Sequence, residues 1–167
     1  MTTNTELIKQ LRSRTSAGVM DCKRALDESN GDLDEAEKIL KEQGIASAAK
    51  KSNRDTDQGV IETYIHSGGR IAAMVEVNCE TDFVARTDEF SSLAHDIAMQ
   101  IAAMAPVAVS SGDPIDGEEP IPEDSCLLQQ PFIKDPSKSI QDLINETVGK
   151  LGENIRVRRF QRFSLGE

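Results

Sequence analysis

Residues 60–78 read Val60-Ile61-Glu62-Thr63-Tyr64-Ile65-His66-Ser67-Gly68-Gly69-Arg70-Ile71-Ala72-Ala73-Met74-Val75-Glu76-Val77-Asn78. Two runs rich in β-branched residues flank a Gly-Gly pair, which is the pattern of a β-hairpin. A two-residue loop would pair His66 with Ile71. A three-residue loop, Gly68-Gly69-Arg70, would pair Ile65 with Ala73, Thr63 with Val75 and Ile61 with Val77. The second register gathers apolar residues on one face, as a half-buried sheet requires, and is the expected one. It also sets Glu62 near Glu76, at a small electrostatic cost.

Downstream of the hairpin the period changes from two to 3.6. Phe90, Leu93, Ala94, Ile97, Ala98, Ile101, Ala102 and Ala105 form one apolar stripe. Thr87 is the expected N-cap, with Asp88 and Glu89 in the first turn, and Pro106 stops the helix. All six prolines fall between 106 and 136, so an irregular connection follows. Leu127, Leu128, Phe132 and Ile133 are expected to pin its end to the core. Ser139 should cap a further helix carrying Ile140, Leu143, Ile144 and Val148, and Ile155 to Phe163 a last strand. A hairpin, two helices and a returning strand make a two-layer α+β domain.

Upstream, residues 3–43 read as three short helices. Thr3 with Glu6 is a possible capping box, Asn30-Gly31 ends the second helix, and Asp32 with Glu35 starts the third. Ala46 to Gly59 is small, charged and polar, and reads as a linker whose first part can be helical. The expected organisation is a docking domain over 1–44, a linker over 45–59 and an α+β core over 60–167.

Composition narrows the function. Among 167 residues, 19 Lys and Arg stand against 29 Asp and Glu, a net charge of −10. Residues 80–125 hold a single basic residue, Arg86, so the acidity is central. Binding to nucleic-acid phosphates needs clustered positive charge. No Trp and a single Tyr argue against a base-stacking surface. No stretch is long and apolar enough to span a bilayer, and no secretory signal is legible. Three widely spaced cysteines, Cys22, Cys79 and Cys126, read as reduced thiols of a cytoplasmic protein.

The chemistry-bearing residues are few. Carboxylates around Cys79 raise a thiol pKa, the wrong direction for a nucleophile. His66 and His95 lack partners at metal or catalytic spacing. No phosphate loop appears, so no catalytic residue, metal or cofactor is expected. Arg156, Arg158, Arg159 and Arg162 alternate with Val157, Phe160 and Phe163. They could track RNA, or lie on the wet side of a strand. Thr81-Asp82-Phe83-Val84 falls between the second strand and the Thr87 cap. Phe83 there either folds inward or is presented as an aromatic anchor for a partner. Arg12, Val19 and Met20 lie at a helix end and the next helix start, and either pack between helices or form a docking edge.

Three stretches resemble the bacterial elongation factor Ts family. They are Thr15-Ser16-Ala17-Gly18-Val19-Met20-Asp21-Cys22-Lys23-Arg24-Ala25-Leu26, Glu76-Val77-Asn78-Cys79-Glu80-Thr81-Asp82-Phe83-Val84-Ala85, and Lys150-Leu151-Gly152-Glu153-Asn154-Ile155-Arg156-Val157-Arg158-Arg159. The resemblance implies a guanine-nucleotide exchange factor for elongation factor Tu. It implies a ubiquitin-associated-like three-helix domain, then a core of three antiparallel strands with helices on one face. It implies that Asp82 and Phe83, within Thr81–Val84, press into the GTPase domain and disturb its magnesium and phosphate site. It also implies partner contacts at Arg12, Val19 and Met20, and at Leu151 and Gly152. Ser16 and Val19 stand where the family often has Gly and Met. Long members carry a second half-core and a helical hairpin, whereas here a single half-core fits and the Pro-rich acidic segment 106–125 stands near the reduction. Short members can pair as homodimers, so a homodimer is a plausible second assembly.

Overall fold

The computed structural model describes residues 4–15, 17–112 and 121–167. Three helices come first: α1 (Asn4–Thr15), α2 (Val19–Glu28) and α3 (Leu33–Lys51). Then follow β1 (Gln58–Ile65), β2 (Ile71–Cys79), the single turn α4 (Asp82–Ala85) and α5 (Asp88–Met104). The small hairpin β3 (Pro131–Phe132) and β4 (Asp135–Ser139), α6 (Ile140–Leu151) and β5 (Ile155–Ser164) complete the chain. The main sheet is antiparallel, in the order β1-β2-β5, so the last strand pairs with the second.

The core lies on one face of that sheet. Ala73, Val75, Val77 and Cys79 on β2 and Ile155 and Val157 on β5 are buried. They meet Phe90, Leu93, Ala94, Ile97, Ala98 and Ile101 of α5 and Ile140, Ile144 and Val148 of α6. The Thr87 hydroxyl accepts from the Phe90 amide, the N-cap that the sequence leads one to expect. Ala105 leaves the expected stripe. It is exposed and takes the left-handed conformation that closes the helix, with φ of 46°. Gln100 is buried instead, a polar residue in an apolar stripe. Its amide donates to the Pro131 carbonyl at 3.1 Å and accepts from the Ile133 amide at 3.0 Å. These bonds satisfy its polar atoms and tie β3 to α5. Leu127 and Phe132 are buried as expected, while Ile133 is exposed.

The hairpin register differs from the expected one. Ile65 pairs with Ala72, Tyr64 with Ala73, Glu62 with Val75 and Val60 with Val77. The His66 amide donates to the Ile71 carbonyl at 2.8 Å, and Gly68 and Gly69 both take positive φ in the turn. The shift by one residue reverses the faces of β1. Val60 and Tyr64 now point to the core, and Ile61 and Ile65 to water. The observed register also separates the two carboxylates. Glu62 and Glu76 are not opposed: Glu62 meets His95 on α5 at 3.5 Å, and Glu76 takes Arg159 at 2.8 Å on the other face. The Arg159 hydrogen bond holds the Glu76 carboxyl below its ordinary range. The outer face keeps Ile61, Ile65, Met74 and Phe163 exposed, with Ile65, Ala72 and Phe163 in one cross-strand row.

The N-terminal helices close over a small core of Leu11, Cys22, Ala25, Leu26 and Ala36. Asp32 caps α3 by accepting from the Asp34 and Glu35 amides, and Asn30 and Gly31 turn the chain with positive φ. Helix α3 continues to Lys51, so the first part of the expected linker is helical. That extension packs α3 on α6. A Cβ on Gly149 would stand 3.6 Å from the Cα of Gly44, so the helices cross closely at this pair of glycines. Lys41 reaches Asp142 at 3.3 Å across the same contact, and Asp142 forms a capping box with Ser139. The flanks of the irregular connection lie side by side: Val107 donates to Ser125 at 2.9 Å and Leu127 to Ala108 at 2.9 Å. Thr3 of the expected capping box, Ser16, and 113–120 of the acidic segment lie outside the described residues.

Gly59 tests the register. Its φ is 151°, and a Cβ there would stand 2.8 Å from the Cα of Asn78 and overlap the Val77 carbonyl oxygen. Gly59→Ala should therefore cost roughly 2–4 kcal/mol of folding stability, through strain and lost β1 pairing. Urea unfolding followed by circular dichroism measures it, and an unchanged midpoint would contradict the pairing of Gly59 with Asn78.

Candidate functional site

Strand β2 ends at Cys79, and two residues later the chain turns into α4. Thr81 is the N-cap of that turn, in an extended conformation, and its hydroxyl accepts from the Val84 amide at 3.4 Å. Ala85 is buried and Val84 is packed against the main core. The same turn therefore aims Phe83 outward, and its side chain is 82% exposed. Of the two readings open in the sequence, the inward one is excluded. Asp82 is half exposed and pairs with Arg86 at 3.1 Å, one turn along. Such a surface pair contributes about 0–1 kcal/mol.

A second segment holds this turn from below. The last ladder pair joins Cys79 to Ile155, so 80–81 run on opposite 153–154. The Glu153 carboxylate accepts from the Glu80 amide at 3.1 Å, the Thr81 amide at 3.0 Å and the Thr81 hydroxyl at 2.6 Å. In return, the Glu80 carboxylate accepts from the Asn154 amide at 2.6 Å. Asn154 is buried, and its side-chain amide donates to the Arg54 carbonyl at 2.8 Å. Gly152 closes α6 in the left-handed conformation, with φ of 76°, and is exposed. Leu151 is half buried against the core. The structure thus brings Thr81–Val84 together with Leu151–Gly152 through Glu153. Sequence reading had missed Glu80, Glu153 and Asn154. Their signal lies in the pairing of β2 with β5, which no local pattern announces.

The third group stands on the N-terminal helices. Val19 is 47% and Met20 65% exposed at the first turn of α2. Arg12 is exposed, and its guanidinium donates to the Ala17 carbonyl at 3.3 Å. Val19 and Met20 thus lie outside the small core, while Arg12 bonds across the junction of α1 and α2. The arginines of β5 are engaged locally: Arg158 and Arg159 with Glu76, Arg156 with the Ser52 carbonyl. Ile155 and Val157 fill the dry side. Among the described residues, no group of three or more His, Cys, Asp or Glu is placed to hold a metal ion. Nor is any helix long and apolar enough to cross a membrane.

Comparison with known proteins places the chain. Residues 35–119 match the family model described as Elongation factor TS. A curated Elongation factor Ts of Carboxydothermus hydrogenoformans is 48% identical over 192 aligned positions, covering 97% of this chain and 88% of its own length. The chain belongs to the elongation factor Ts family. The elongation factor Ts of Herpetosiphon aurantiacus is 46% identical, with 99% of both chains covered. That of Thermosynechococcus vestitus is 47% identical with 65% of its own length covered, so the family includes longer members. Alignments of 192 positions exceed the 167 residues here, so these relatives carry internal residues that this chain lacks.

Two outcomes check the local chemistry. Because Phe83 lies in water, Phe83→Ala should change folding stability by less than about 0.5 kcal/mol. A larger loss in urea unfolding would return Phe83 to the core. Cys79 is buried, its thiol donates to the Thr81 carbonyl at 3.1 Å, and burial with the Glu153 charge pushes its pKa from 9.0 up to about 11. It should resist a thiol reagent at pH 8 until the chain unfolds. The unfolded chain ionises first, so this thiol should lower stability as pH rises from about 9 to 11. Fast labelling of native Cys79 would contradict that environment.

Proposed function

We propose that this member of the elongation factor Ts family is a guanine-nucleotide exchange factor for elongation factor Tu, acting in translation elongation in the cytoplasm. One observation carries the reading: Phe83, in the segment that resembles the family's partner-contacting motif, is 82% exposed on a backbone fixed by tertiary hydrogen bonds. An exposed aromatic on a rigid turn is the form of a side chain that enters a partner's pocket. Asp82 lies beside it to engage a polar group. The insertion disturbs the magnesium and phosphate site of the GTPase domain and so promotes GDP release. Arg12, Val19 and Met20, with Leu151 and Gly152, supply the grip that keeps the wedge in register.

No covalent bond is made or broken in this mechanism. Exchange works by linkage: a factor that weakens GDP binding is itself weakened by GDP to the same extent. The wedge must therefore touch the nucleotide-free state more favourably than the GDP-bound state, since equal affinity shifts nothing.

The outer sheet face supports a homodimer as the second part of the proposal. Ile61, Ile65, Met74 and Phe163 are exposed apolar residues on the sheet side away from the helices, a face they share with the Glu76–Arg159 pair. A second copy facing it would rebuild a two-sheet core, in keeping with the short-member resemblance. Ile65→Lys should then shift the sedimentation coefficient from dimer to monomer, and a wild-type monomer at tens of micromolar would contradict the pairing.

The exchange reading is tested with elongation factor Tu loaded with a fluorescent GDP. Release should accelerate strongly in the presence of this protein. Phe83→Ala should slow that catalysed release by roughly 30- to 1,000-fold, the equivalent of about 2–4 kcal/mol of lost anchor contact. No acceleration by the wild type would sink the reading.

A further inference from the structure

We propose that Glu153 is the positioning residue that aims the Phe83 wedge; the inference rests on the exchange reading above. A side chain that is 82% exposed takes no orientation from its own packing, so its aim comes from its backbone. Helix α4 has four residues, a length that does not persist by itself. Its direction is set where it starts, at Glu80 and Thr81. Both amides there, and the Thr81 hydroxyl, donate to the one carboxylate of Glu153. The short hydroxyl bond at 2.6 Å also fixes the Thr81 side chain. That leaves an oxygen lone pair for the Val84 amide, the capping bond that closes the turn carrying Phe83. Glu153 is anchored in turn. It follows Gly152, which ends α6, and precedes Asn154, whose amide is held by Glu80 and whose side chain is held by Arg54. The wedge turn and the Leu151–Gly152 turn move as one body.

Glutamine is the discriminating substitution. A carboxylate accepts at both oxygens, whereas the Gln amide accepts at one and presents an NH2 at the other. In Glu153→Gln either the two backbone amides or the Thr81 hydroxyl must lose their acceptor. A wedge displaced by a fraction of an ångström still docks, but reaches the strained state less well.

The experiment measures release of fluorescent GDP from elongation factor Tu over a range of concentrations of the full chain. It compares wild type, Glu153→Gln, Phe83→Ala and the double variant. Glu153→Gln should lower the saturating release rate by roughly 10-fold to 100-fold, with the half-saturating concentration unchanged within about twofold. The double variant should match Phe83→Ala alone, because aim is worthless without the wedge. A general structural role would instead lower the double variant further, and that result, or a Glu153→Gln indistinguishable from wild type, overturns the inference. If Phe83→Ala itself exchanges like wild type, the wedge reading fails and takes this inference with it. If Glu153→Gln does not fold by circular dichroism, Thr81→Val, which removes the hydroxyl donor to Glu153, is put through the same comparison with the same outcomes.

Discussion

A phenylalanine kept in water is the constraint around which the rest of this structure is arranged. Burying a Phe side chain gains about 1.5–3 kcal/mol over leaving it exposed. A flexible loop would recover that gain by folding Phe83 back onto the core. Here the backbone forbids it. Val84 and Ala85 take the inward positions of a one-turn helix, and the hydrogen bonds at Thr81 fix where the turn begins. The core thus holds two chain turns against each other, and the apolar side chain stays outside.

The sheet order makes this possible. Because β5 returns to pair with β2, the ends of both strands emerge together, and Glu80 and Glu153 each satisfy amides of the opposite turn. Burial of Cys79 and Ile155 just below that exchange excludes water from its base. The N-terminal helices reach the same core through α3, which crosses α6 at the paired glycines Gly44 and Gly149. The exposed Val19 and Met20 are thus tied through α3 and α6 to the Gly152 turn.

Much of this was legible in the sequence. The Thr87 and Ser139 caps, the α5 stripe up to Ala102, the Asn30-Gly31 turn and the strand after Gly152 follow from local chemistry, and the structure has them. The hairpin register did not follow. Gathering every apolar residue on one face is sound for a sheet with one wet side, but this sheet keeps Ile61 and Ile65 on its outer face and avoids opposing Glu62 and Glu76. Phe83 could be singled out but not oriented, since its direction depends on whether one helical turn forms after Thr81. Glu153 was invisible as a site residue because its partners lie more than seventy positions away, across strands that are not consecutive.

On the proposed function, the exposed wedge distinguishes two states of the partner. The most direct measurement is the affinity of this protein for nucleotide-free and for GDP-bound elongation factor Tu, by titration calorimetry, with wild type and Phe83→Ala. The account predicts that wild type binds the nucleotide-free form roughly 100-fold more tightly, near the upper end of typical coupling between sites, and that Phe83→Ala collapses most of that ratio. Equal affinity of the wild type for both forms would contradict it.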